Sequence, residues 1–156
     1  MIDTEKIEFS ICDLAPVIEE KVNSGGKVRF TVTGISMFPF LSNRRDQVTV
    51  SRADVVKKYD VVLHRRENGD YILHRVIGIK NGTYTIAGDN ETEKEYGVKK
   101  SQIIAKATGF TRKGKKINPD SIAYILYTRF WVFVFPLRRV ILELLIRIRR
   151  LFCGKR

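Results

Sequence analysis

The feature that most limits this chain is a series of short period-two segments between Lys27 and Phe110. Lys27-Val28-Arg29-Phe30-Thr31-Val32-Thr33 alternates polar and apolar, which puts Val28, Phe30 and Val32 on one face of an extended strand. Further strand candidates follow at 47–51, 60–64, 71–79, 83–86 and 102–110. Asn68-Gly69-Asp70 and Asn81-Gly82 fall between them. Asn and Gly accept positive φ, so both read as hairpin turns. A short helix is expected at about 13–23. Asp13 can cap it, Leu14, Val17, Ile18 and Val22 form its apolar stripe, and Gly25-Gly26 end it. The expected fold is mainly β, with an N-terminal helical segment at 1–26, a β-rich domain at 27–117 and a tail at 118–156. Arg112 to Lys116 reads as a polar turn or linker.

With 156 residues the chain has room for one domain with a real core. Its two cysteines, Cys12 and Cys153, lie near opposite ends, which excludes a disulfide scaffold and a zinc cluster of the Cys type. The formal charge is +12, and it is unevenly spread. Residues 111–156 carry 12 basic and 2 acidic side chains, leaving 17 and 15 for residues 1–110. Such asymmetry marks an anionic partner, either nucleic acid or lipid.

The tail favours lipid. Ile122 to Leu137 is largely apolar, with Arg129 its one charge, and it contains Phe130, Trp131, Phe133 and Phe135. A nucleic-acid arm interleaves basic and polar residues, so no nucleic acid is expected. Beyond Arg138-Arg139, residues Val140, Ile141, Leu144, Leu145, Ile148, Leu151 and Phe152 recur at helical spacing. Arg139, Glu143, Arg147 and Arg150 fall on another face, with Arg149 beside them. That is the pattern of an amphipathic helix lying on anionic membrane lipid, with a short or re-entrant span and a core or oligomer-forming helix pair as the alternatives. The apolar run falls short of the roughly 20 residues that a span needs. Met1 to Glu20 is acid-rich, without a basic segment followed by an apolar one. No secretory signal is read there, and the expected location is the cytoplasmic face of the membrane.

Three short motifs carry chemistry. Gly34-Ile35-Ser36-Met37-Phe38-Pro39 follows the first strand. Gly34 permits a sharp turn, and Pro39 cannot continue a ladder. A serine held at such a corner meets the needs of a nucleophile with amides beside it. His74 lies in a strand-like run, followed by Arg75, and is a candidate general base. Gly88-Asp89-Asn90 ends another strand, where Asp89 is suited to orient an imidazole or hold a loop. His64 precedes His74 by ten residues, and a hairpin would bring them together. No carboxylate partner is evident for the pair, so no metal is expected there.

Ser36-Met37-x-Pro39, His74-Arg75-Val76 and Gly88-Asp89-Asn90, in that order, resemble the type I signal peptidase family. The likeness is to the branch of archaeal, endoplasmic-reticulum and sporulation-associated enzymes, which carries histidine where the common bacterial enzymes carry lysine. It covers about 27–110. It implies a signal-peptidase or repressor-protease-like β domain, a serine endopeptidase without cofactor. Ser36 would be nucleophile, His74 general base, Asp89 the acid of the third motif, and the amides of Ser36 and a neighbour near Gly34 the oxyanion donors. Substrates would be signal or leader peptides cut after small residues and bound as an added strand. Three departures stand out. The family usually carries an N-terminal membrane anchor, whereas the greasy segment read here is C-terminal. Lys58-Tyr59-Asp60 occupies the family's usual Gly-Asp. Glu91-Thr92-Glu93-Lys94-Glu95 follows the third motif where a further Asp is usual, so either a glutamate serves there or no residue does. The alternatives are a catalytically silent relative binding peptide or lipid, and an unrelated membrane-surface adaptor.

Overall fold

The computed structural model of the protein describes residues 11–138, 140–144 and 147. Its elements are α1 (Ile11–Asn23), β1 (Val28–Thr31), β2 (Gln47–Arg52), β3 (Val61–Arg65), β4 (Tyr71–Lys80), β5 (Thr83–Ala87), β6 (Glu95–Val98), β7 (Ile103–Arg112), β8 (Lys115–Ile117) and α2 (Ile122–Phe133). The fold is mainly β. All eight strands belong to one antiparallel sheet in the order β1-β2-β7-β3-β4-β5-β6, with β8 paired to β7.

The turns form where the sequence provides for them. Asn81 and Gly82 both have positive φ and join β4 to β5. The Asp70 amide donates to Asn68 Oδ1, and Gly69 takes positive φ, between β3 and β4. Of the two readings of 112–116, a polar turn or a linker, the turn is the one formed, and it closes a hairpin. Lys113 and Gly114 turn at positive φ, and Lys115, Lys116 and Ile117 pair with Arg112, Thr111 and Phe110.

Alternation decides what each strand buries. Val61 and Leu63 of β3 enter the main core with Val48, Val50, Ala105 and Phe110, while Val62 joins Val76, Ile86 and Ile103 on the opposite face. Helix α1 covers the main core with Ala15, Ile18 and Val22, spaced by three and four residues. Val17, expected in that stripe, is 63% exposed. Each fully buried Leu or Val contributes about 1.5–3 kcal/mol relative to exposure.

The C-terminal segment packs onto the sheet. Tyr124 of α2 lies in the main core, tilted against Phe40 and Phe110, and Tyr127 stacks on Phe40. A 3-10 turn at Phe135–Leu137 follows, with Trp131, Val134 and Leu142 forming a small cluster of their own. Residues 138, 140–144 and 147 are helical again. Among the described residues no helix is long and apolar enough to cross a membrane. Arg139, Leu145, Ile148, Arg149, Arg150, Leu151, Phe152 and Cys153 lie outside the described residues, as does the segment 1–10.

Candidate active site

The Ser36 turn is pinned from both sides. Gly34 adopts φ 86, a conformation glycine takes freely. Its amide donates to Asn43 Oδ1 at 3.0 Å. The Phe38 amide closes a turn onto the Ile35 carbonyl, and the Phe38–Pro39 peptide is cis. Met37, Phe40 and Leu41 are buried, which anchors the downstream side, while Ile35 is exposed. Pro39 is tied to β7, since Arg112 Nη2 donates to its carbonyl. Asp46 secures the end of the loop. Burial opposes its charge, but Arg45 and the amides of Ser42 and Lys113 outweigh burial and hold its pKa down at about 2.

A second loop presses on the first. The Asn90 amide donates to the Ser36 carbonyl at 2.7 Å. A Cβ on Gly88 would stand 2.7 Å from that same oxygen and 3.0 Å from Glu91 Cδ, so the close approach requires glycine. The three motifs thus meet in space. Ser36, His74 and Glu91 line one cavity of about 230 Å³, whose remaining wall is largely apolar and includes Leu14, Phe30, Val32, Met37 and Leu73. Among the described residues no hydrogen bond joins Ser36 to His74; catalytic hydrogen bonds are often long before substrate binds.

His74 is fully buried. Its Nδ1 lies 3.2 Å from Glu95 Oε1, and its Nε2 has no hydrogen-bond partner, with Glu91 Oε1 at 3.4 Å. Because Glu95 is a carboxylate and can only accept, Nδ1 donates its N–H to it, and in the neutral ring Nε2 is then the atom with the free lone pair. Burial pulls the His74 pKa down, but Glu91 and Glu95 outweigh it and hold it above the ordinary 6.5. Glu95 also meets His64 Nε2 at 3.2 Å and both Nε and Nη2 of Arg66. Burial works against the Glu95 charge, yet these partners, with His74 foremost, keep its pKa below the usual carboxylate range. His64, unlike His74, is drawn below the ordinary 6.5, because burial dominates and favours the neutral ring. The two imidazoles stand 5.9 Å apart, as the β3–β4 hairpin suggests.

Asp89 does not orient His74. Its two oxygens accept from Arg75 Nε at 2.8 Å and Nη2 at 2.7 Å, and both side chains are buried. Arg75 Nη1 reaches the Tyr59 carbonyl and the Tyr124 hydroxyl. Here Asp89 holds a loop, and the orienting carboxylate is Glu95. Sequence reasoning did not single out Glu95 by number, although the run of glutamates after Asn90 was its signal. Tyr59 itself takes φ 82, the left-handed region that the Gly of Gly-Asp would occupy freely.

The tail residues divide. Phe130 and Phe133 are exposed, as is Arg147. Trp131, Phe135 and Arg138 are buried, which corrects the reading of these three as lipid-facing. Trp131 Nε1 donates to the Asp89 carbonyl at 3.0 Å. Arg138 Nη1 donates to the Gly88 and Glu91 carbonyls at 2.8 and 3.2 Å, and Nη2 to the Trp131 carbonyl. Its guanidinium lies 4.2 Å from the Phe135 ring centroid, and burial draws its pKa down to about 10.

His74, Glu91 and Glu95 bring one potential metal-ligand atom each within 4.8 Å of one another. Glu95, however, already accepts two bonds from Arg66 and faces both imidazoles, which fills the roughly four lone-pair sites of a carboxylate. That leaves His74 Nε2 and Glu91, fewer than the three protein ligands of a catalytic zinc site. The arrangement therefore suits proton transfer better than metal binding. Comparison with protein-family models, with curated proteins and with solved structures found no match.

Proposed function

We propose that the chain is a serine endopeptidase of the signal-peptidase type, with Ser36 as nucleophile and His74 as general base. One observation carries the reading. A buried imidazole, with Nδ1 against Glu95, has an Nε2 that makes no hydrogen bond, with Glu91 Oε1 3.4 Å away, and it lines the same cavity as a serine held in a tight turn. The base takes the Ser36 proton as Oγ attacks a peptide carbonyl, and returns it to the leaving amine. The Gly34 amide is engaged by Asn43, which leaves the Ser36 amide as the donor for the developing oxyanion in this reading. The β-rich sheet with a Ser turn after β1 and a His in β4 is compatible with a signal-peptidase or repressor-protease-like domain. β1 is an edge strand, so a signal or leader peptide can pair along it and present small residues to Ser36.

The same reading includes a membrane surface. Ile122, Leu126, Phe130, Phe133 and Leu137 are exposed at steps of three or four residues and continue as Val140 and Leu144, with Arg129 and Arg147 also exposed. Such a row favours insertion into the interface of an anionic leaflet, which the cytoplasmic face offers. The test is cleavage of a peptide library by the wild type in anionic lipid, beside Ser36→Ala. Cleavage abolished by Ser36→Ala is expected; cleavage unchanged in that variant would overturn the proposal. Pelleting with anionic vesicles should weaken in Phe130→Ser/Phe133→Ser.

A further inference from the structure

Gly88, Asp89, Asn90 and Glu91 form the loop that touches both members of the proposed dyad, and three of its four carbonyls are held by side chains from the C-terminal segment. Arg138 takes those of Gly88 and Glu91, and Trp131 takes that of Asp89. The fourth residue, Asn90, gives its amide to the Ser36 carbonyl. Glu91 gives its carboxylate to the neighbourhood of His74 Nε2.

We infer that Arg138 and Trp131 are positioning residues, which set the loop that registers Ser36 against His74. The inference rests on the serine-peptidase reading above. The chemistry of the contacts argues for it. A guanidinium buried from water is costly unless its donors are met; Arg138 meets two with carbonyls of this loop and a third with that of Trp131, while its Nε has no partner. Its planar fork reaches two carbonyls through one nitrogen and a third through another, an arrangement that the single ammonium of lysine does not reproduce. The indole of Trp131 sits inside the protein, and its only N–H is spent on the loop. The rest of the same helix carries an exposed apolar row that has no part in this clamp.

Positioning through a loop has a signature that plain destabilisation lacks. If the clamp loosens, Glu91 withdraws from His74, and the imidazole loses one of the two carboxylates that favour its protonated form. The other groups facing that ring are Glu95 and His64, with Arg66 behind Glu95, and none of them is held by Arg138 or Trp131. The chain has only two histidines, so both rings can be followed by NMR titration.

The experiment compares the wild type with Arg138→Lys, which keeps the charge, and Trp131→Phe, which keeps the ring and folds more safely. Lys80→Ser, exposed at the end of β4 and outside the site, the loop and the apolar row, is the control. Both clamp variants should lower kcat about 10²-fold, as an ångström-scale misplacement does, with KM little changed. Both should move the His74 titration toward acid, with His64 moving only by its coupling to His74 and in the opposite direction. Wild-type kcat and an unmoved His74 titration in both variants would overturn the inference. A wild type that cleaves nothing would instead remove the peptidase reading, and the titration would still decide whether the clamp sets the loop around His74.

Discussion

His74 and Arg75 are neighbours in β4, and their surroundings are opposites. Arg75 turns under Phe40 and Tyr124, and its donors meet both oxygens of Asp89, the Tyr59 carbonyl and the Tyr124 hydroxyl. His74 turns the other way, has one nitrogen on Glu95 and leaves the other unpartnered at a cavity. A saturated buried charge has nothing left to offer a ligand, so it specifies structure. An oriented but unsatisfied base beside a serine is poised for chemistry. The loop 88–91 serves both, with Asp89 given to the first cluster and Glu91 to the second.

The largest expected effect tests the reactive side. His74→Ala should lower cleavage by about 10³–10⁴-fold and leave a folded protein. Next comes the structural side. Asp89→Ala strands a buried guanidinium and should lower stability by about 3–5 kcal/mol in urea denaturation. A loss below about 1 kcal/mol, in the range of exposed pairs, would break the comparison.

The third prediction concerns pH. A general base must be neutral, so the rate should climb as pH rises through the His74 pKa, on the alkaline side of 6.5. The linked stability has the opposite sign. A raised folded-state pKa contributes stability that is full below 6.5 and lost as pH rises through the folded value. Glu91→Gln should draw the rate limb toward acid and shrink that loss together; a limb that stays put would remove Glu91 from the site. The smallest effect sharpens the structural side again. Tyr59→Gly relieves a left-handed residue and should raise stability by about 0.5–1 kcal/mol, with cleavage unchanged.

Much of the sheet was legible because its strands alternate and its turns carry Asn and Gly. Two strands were not. Glu95-Tyr96-Gly97-Val98 is short, with a glycine at positive φ, and β8 is two lysines and an isoleucine. Their pairing comes from neighbours, not from their own pattern. Ser36, His74 and Gly88 were legible through motif order, and the cavity brings the first two together. Glu95 was hidden because its tie to His74 and His64 depends on where the β5–β6 connection returns. Arg138 was hidden for another reason. Periodicity assigns an arginine to a polar face, and no sequence pattern announces that three carbonyls wait for it inside.

The central claim is that Ser36 is made nucleophilic by His74. The direct measurement is mass spectrometry after exposure to a serine-directed phosphonate, with His74→Ala alongside. The account predicts a single adduct on Ser36 in the wild type and little or none in the variant. An adduct that forms equally well without His74, or none on Ser36 in a folded wild type, would contradict it.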